Sequence, residues 1–310
     1  MIVRERPHTL ALLFVWRGSI LPDIALHLLA LLLFAAGVVV IHTDHWANLA
    51  QYSVAPFTLL GIALSLFLGF RNNACYDRWW EGRQQWGQMI SNVRSLARSA
   101  HILLPASRRL TLLAWCSVFY HALRLQLRQQ PLSMDVLQQQ LPAWVLACLP
   151  VAELEQVIGS GNVADGVCQN MAEQLRQAYA ANELDTQGIR ILDDHVSGLA
   201  AVQAGCERLS STPLPFAYSL LTHRTAYLYC YLLPFGLVGS MGWMTPVFLV
   251  IVAYTFFGLD ALAQQLEEPF GSASNHLPLD ALCRVNDRSL AQALGLPVPD
   301  LMTPEHHVLR

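Results

Sequence analysis

Glu267 and Glu268 invite a catalytic reading first, because paired carboxylates can divide acid and base work between them. Neighbours on a helix point about 100° apart and do not share a site, so capping or a contact between subunits suits this pair better. His306 and His307 are metal-ligand types with no third ligand near them, and a disordered tail is the simpler expectation. The seven cysteines (Cys75, Cys116, Cys148, Cys168, Cys206, Cys230, Cys283) form no CxxC pair and no zinc or disulfide spacing, which leaves small, buried, reduced thiols. Walker loops, dinucleotide-binding glycine turns, HExxH and nucleophile elbows are absent from the sequence. The chain is therefore not expected to be an enzyme, or to hold a metal or cofactor. His223-Arg224 and Asp260 interrupt or end apolar stretches. An ionisable residue at membrane depth is a functional candidate. The first pair also suits an interface, with the arginine reaching head groups or a neighbouring helix. Asp260 either attracts cations or pairs with an arginine of another helix.

A second pattern concerns passage instead of reaction. Ile62, Leu66 and Phe70 recur every four residues on one helical face, and Gly61, Ser65 and Gly69 recur on the face beside it. Small residues let membrane helices approach closely, and a bulky apolar stripe suits a pore narrow enough to close by dewetting. Such stripes also serve as packing or lipid-facing surface. The pattern alone leaves both readings open.

The elements that must carry these residues follow from hydropathy. At 54% hydrophobic and 13% charged, with mean hydropathy +0.36, the 310 residues hold too little charge for a soluble domain of this length. A net charge of −3 offers no basic excess for a phosphate backbone, so nucleic acid is not an expected partner. All 19 positive side chains are arginine, which does not shed its charge when buried as lysine can; each buried one needs partners. Residues 24–41 are apolar apart from His27, follow Pro22-Asp23, and are long enough to cross a bilayer. Residues 54–70 contain only Thr58 and Ser65 as polar members, with Pro56 in the first turn. A third span is read from 214–221 and 226–238, interrupted by Thr222-His223-Arg224-Thr225. A fourth, 247–259, continues into an amphipathic stretch from Asp260.

Arg4, Arg6 and Arg17 precede the first span, the 42–53 link has no arginine, and the 239–244 turn is uncharged. Arg71, Arg78, Arg83, Arg94 and Arg98 follow the second span, so both termini are expected in the cytoplasm. No small-residue cleavage site lies within residues 1–17, and the first span is expected to be kept. Trp243 fits the outer interface, and Trp79, Trp80 and Trp86 serve either an aromatic belt or core packing. The expected organisation is an all-α membrane protein with four transmembrane helices. Residues 1–71 carry spans one and two, 72–210 a cytoplasmic helical region, 211–265 spans three and four, and 266–310 a cytoplasmic C-terminal segment. Pro105, Pro131, Pro142, Pro150, Gly159 and Gly161 divide the long middle region into several helices.

The run Phe70-Arg71-Asn72-Asn73-Ala74-Cys75-Tyr76-Asp77-Arg78-Trp79-Trp80-Glu81 resembles the segment that follows the pore helix in bestrophins. Asn73, Tyr76 and Arg78-Trp79-Trp80-Glu81 are its specific part. Glu267-Glu268-Pro269-Phe270-Gly271 is similar to that family's acidic or asparagine-Pro-Phe-Gly signature, and Thr212-Pro213-Leu214-Pro215-Phe216-Ala217-Tyr218 matches before the third span. Cys206-Glu207-Arg208 and His223-Arg224-Thr225 resemble the bacterial branch.

The resemblance implies a homopentamer in the bacterial inner membrane, with a central pore whose neck is ringed by Ile62, Leu66 and Phe70. It would pass small monovalent ions passively: chloride as in the animal members, or a cation such as sodium, as described for bacterial ones. Two departures matter. Where animal channels carry acids that clasp calcium, this chain reads Ser272-Ala273-Ser274-Asn275-His276, and calcium activation there is not expected. Counting back from Cys206 without gaps, the family's cytoplasmic constriction falls on Arg190, with Ile189 and Ile191 taking the place after a one-residue shift. Five arginines around an exit would admit anions and repel cations. The other reading makes Arg190 an exposed helix residue paired with Asp193 or Asp194. A secondary transporter and a non-conducting scaffold are the alternative functions; the internal symmetry of a transporter is not visible in the sequence.

Overall fold

The computed structural model describes residues 1–4, 8, 10, 15–16, 18–44 and 53–310. Arg6, Arg17 and most of the 42–53 link, which entered the orientation argument, lie outside the described residues. The helices, in chain order, are α1 (Leu21–Thr43), α2 (Ala55–Leu103), α3 (Ala106–Leu127), α4 (Met134–Gln140), α5 (Ala143–Cys148), α6 (Val151–Ile158), α7 (Val163–Ala180), α8 (Thr186–Ser211), α9 (Phe216–Met241), α10 (Thr245–Glu267) and α11 (Leu279–Leu294). Extended structure among the described residues is confined to isolated bridges that join Val308 to Ile2 and Glu305.

Three helical stretches among the described residues are long and apolar enough to cross a membrane: α1, α2 and residues 216–267. The last consists of α9 and α10, joined by a 3-10 turn over Gly242–Met244. Gly242 has φ +50°, a conformation that glycine adopts without steric cost. The polar interruption at residues 222–225 does not break α9. Thr222 and Thr225 return their hydroxyls to the carbonyls of Tyr218 and Leu221, so these side chains are satisfied within the helix. The composition of α2 changes at Arg71, but its backbone does not: all 49 residues are one helix. At 1.5 Å per residue it extends roughly 70 Å, more than twice a bilayer's hydrocarbon thickness.

The chain separates into two compact units. The first comprises Arg4–Trp79 and Pro213–Pro269; the second comprises Met1–Val3, Trp80–Thr212 and Phe270–Arg310. In the first, Tyr229 meets Phe256, Tyr227 stacks on Phe257 and His223 bonds to Asp260, pairs whose numbers rise on α9 as they fall on α10. The two helices are antiparallel. The same test sets α1 parallel to α9, through His27 with Tyr227 and Phe34 with Tyr231 and Phe235. It sets α2 antiparallel to α9, through Phe57 at Gly236 and Gly61 at Tyr229. Leu31, Ala35, Leu64, Leu68, Ala226 and Leu249 lie at the centre of this packing.

Of the three small residues on α2, only Gly61 permits a close approach. A Cβ there would stand 2.7 Å from the Tyr229 hydroxyl, whereas Ser65 bonds back to the Gly61 carbonyl and nothing lies within 4 Å of a Cβ at Gly69. Gly61→Ala is expected to cost about 1–3 kcal/mol through overpacking, and Gly69→Ala almost nothing. Thermal unfolding in detergent would show the difference.

In the second unit every residue from 112 to 125 on α3 is buried, so this helix has no polar face. Its polar side chains, with Arg128 just past its end, reach carboxylates on α11 instead. Tyr120 and His121 share Asp287, and Arg124 and Arg128 share Asp280. Burial pushes the Cys168 and Cys206 thiols up to about 12, which leaves them protonated and unreactive near neutrality. Phe270, from the Pro-Phe-Gly signature, packs against Gly82, and Trp86 is fully buried. His306 and His307 correct the expected disordered tail: they form a turn with positive φ, and the His307 carbonyl accepts from the Val3 amide.

Candidate ion pathway

In its apolar part helix α2 buries one narrow face, and Leu59, Leu60 and Phe67 are exposed as well as the bulky stripe. Leu64, Leu68, Arg71 and Cys75 are buried in the first unit, following the three- and four-residue steps of a helix. Ile62, Leu66 and Phe70 are 64%, 56% and 56% exposed. One face is committed to the core, and the bulky face is covered by none of the described residues.

Directly after Phe70, Arg71 turns into the protein and is 1% exposed. Its guanidinium pairs with Asp260 and lies 3.6 Å from Glu267. Asp260, also buried, is reached by His223 Nδ1 at 2.7 Å and accepts from the Gln264 amide at 3.2 Å. The expected pairing of Asp260 with an arginine from another helix is therefore present, and the carboxylate is not free to draw cations. Arginine keeps its charge at any working pH, so a buried guanidinium needs opposing charge close by; α10 supplies two carboxylates from one face, about two turns apart. Sequence reasoning missed Arg71 as the partner. The available signal was its place one residue beyond an exposed stripe, on the helical face of Leu64 and Leu68.

The other motif residues have mainly structural positions. The Asn72 amide donates to the Leu68 carbonyl, Tyr76 stacks on Trp79, and Arg78 Nε donates to the Glu267 carbonyl at 3.2 Å. Asn73, Trp80 and Glu268 are exposed, and Pro269 is buried. Glu267 faces Arg71 while Glu268 faces out, so the two acids do not act together. In the second unit Glu81 pairs with Arg208, and neighbouring Glu207 accepts from the amides of Gln126, Asn162 and Gln203. A Cβ on Gly271 would collide with the His276 ring, which explains glycine at the end of the signature.

Arg190 lies in the first turns of α8, after Asp185 caps the helix by accepting from the Gly188 amide. It is exposed, Ile191 is exposed, and Ile189 is half-buried. Among the described residues Arg190 makes no ion pair, so the helical pairing with Asp193 or Asp194 is not formed. No group of three or more metal-ligating side chains occurs among the described residues.

A profile of bacterial and fungal bestrophin proteins matches residues 1–292. The chain belongs to the bestrophin family. A voltage-dependent anion channel-forming protein of Mesorhizobium japonicum is 42% identical over 98% of this chain and 96% of its own length. One of Escherichia coli K12 is 40% identical over 99% of each chain. A bestrophin homologue from Klebsiella pneumoniae, solved by crystallography, matches with a TM-score of 0.79 at 35% identity, covering 88% of this chain and 99% of that one. A variant of that homologue gives 0.81 at 36%, covering 90% and 100%. This bestrophin is thus an all-helical membrane protein, in agreement with the resemblance read from its motifs and with its expected place outside the enzymes.

Proposed function

We propose that this bestrophin is a homopentameric ion channel with four crossings per subunit, both termini cytoplasmic, in the bacterial inner membrane. The observation that carries this reading is the uncovered stripe of Ile62, Leu66 and Phe70, on a helix whose opposite face is core. Five copies around an axis would cover the stripe and turn it into a short apolar neck. The fold-back at Gly242 supports two crossings within residues 216–267, because α9 and α10 run antiparallel.

Small monovalent ions pass down their gradient in this reading, and anions are favoured over cations. Asp260 is occupied by Arg71 and His223, Arg190 is exposed without an ion pair among the described residues, and the named relatives are anion channel-forming. Purified protein in liposomes is expected to pass chloride faster than sodium. Faster sodium flux would select the cation alternative, and a tight bilayer to both would select a scaffold. Arg190→Ile is expected to shift the reversal potential in a salt gradient toward weaker anion preference. An unchanged potential would move the constriction to Ile189 or Ile191, or remove it from α8.

A further inference from the structure

We propose that the second unit binds a sugar phosphate, a reading that does not rest on the channel proposal. A cavity of about 640 Å³ lies wholly within that unit and is lined by Arg124, Arg128 and Arg284 together with Asp280, Asp287 and Gln140. This volume lies within the range of small-molecule sites. Both carboxylates are already engaged: Asp280 accepts from Arg124 at 2.8 Å and Arg128 at 2.7 Å, while Asp287 accepts from Tyr120 at 2.7 Å and meets His121 at 3.1 Å. Arg284 is different. Among the described residues its half-buried guanidinium has neither an ion pair nor a hydrogen bond, although it lines the cavity.

Two further donors in the same wall lack acceptors. The Nε atoms of Arg124 and Arg128 are buried without partners, and Arg124 as a whole is 4% exposed. Those two atoms are closed to water, so the open donor of the wall is the Arg284 guanidinium, while Arg124 and Arg128 add positive charge beside it. Arginine presents a planar fork that fits phosphate oxygens in pairs, and a phosphate monoester brings the negative charge and acceptors that Arg284 lacks.

An adjoining cavity of about 330 Å³ shares Arg284, Asp287 and Gln140 and is lined by Gln139 and Trp144. Side-chain amides both donate and accept, as hydroxyl groups do, and an indole offers a flat apolar face. A phosphate held at Arg284 therefore has room on its other side for a polyhydroxylated ring between glutamine amides and Trp144.

Calorimetric titration of the full-length protein in detergent with glucose 6-phosphate tests this. Saturable binding at one site per subunit is expected, with glucose alone showing none. Arg284→Gln should weaken glucose 6-phosphate at least about tenfold, the loss of one charge-assisted contact, with an unchanged melting temperature because Arg284 has no internal bonds to lose. Arg284→Lys should retain part of the affinity. Trp144→Ala should weaken glucose 6-phosphate but not inorganic phosphate. No saturable binding by the wild type, or equal binding by Arg284→Gln, would overturn the site; tighter binding of adenosine monophosphate would overturn the sugar assignment. None of these readouts involves ion flux, so failure here leaves the channel reading intact.

Discussion

Asp260→Ala is expected to destabilise the protein by about 3–5 kcal/mol, the range for removing one partner of a buried ion pair. The reason lies with Arg71, which is 1% exposed and cannot neutralise itself by losing a proton. Glu267, at 3.6 Å, is too far for a direct hydrogen bond and compensates only in part. His223 and Gln264 lose an acceptor at the same time. The measurement is thermal or denaturant unfolding in a fixed detergent. Pairing the change with Arg71→Met, as Asp260→Leu with Arg71→Met, should recover most of the loss, because replacing a whole buried pair by apolar groups is often close to neutral. If the double variant is as unstable as the single one, the pair is not what holds α2 to α10. A single variant that melts like the wild type would show that Arg71 is hydrated or paired elsewhere.

Leu66→Ala is expected to raise ion flux several-fold while leaving stability within about 0.5 kcal/mol of the wild type, as for an exposed side chain outside the core. The two readouts separate a pore position from a packing position. Leu66 is 56% exposed, so truncation opens no cavity within the subunit. In a pentamer it would widen one ring of the neck five times over and admit water to a stretch that otherwise excludes it. Leu26→Ala on α1 is the matched control, since Leu26 is 75% exposed but belongs to a different helix. Liposome chloride efflux should rise for Leu66→Ala and Phe70→Ala and stay level for Leu26→Ala. Equal flux in all of them would place the stripe against lipid or a neighbouring helix, and the conduction path would have to be sought elsewhere.

Much of the fold was legible because hydropathy and helical period are local properties. The runs that became α1, the first part of α2, and α10 announce themselves by length and lack of charge. The third span was harder to read, since Thr222, His223, Arg224 and Thr225 look like an interruption. They remain helical because the two threonine hydroxyls bond back to the helix, His223 bonds to Asp260 and Arg224 is exposed. The central helix of the second unit was not legible as such: buried on every side, it lacks the polar face by which sequence period reveals orientation. The ordered turn at His306 and His307 was hidden for a related reason, since its backbone partner is at the opposite end of the chain.

The sequence by itself determined that this protein lives in a membrane, that it is helical, and that α2 carries a bulky stripe beside a small one; its motifs also carried the family resemblance. Only the tertiary structure decided which arginine answers Asp260, 189 residues away, and that Arg190 lacks the helical ion pair its neighbours offered. It also decided that of Gly61, Ser65 and Gly69 it is Gly61 that meets a neighbouring ring. The physical reason is the same in each case. Composition and spacing act over one or two helical turns, whereas the desolvation of a charge or the fit of a glycine depends on what a distant segment brings against it.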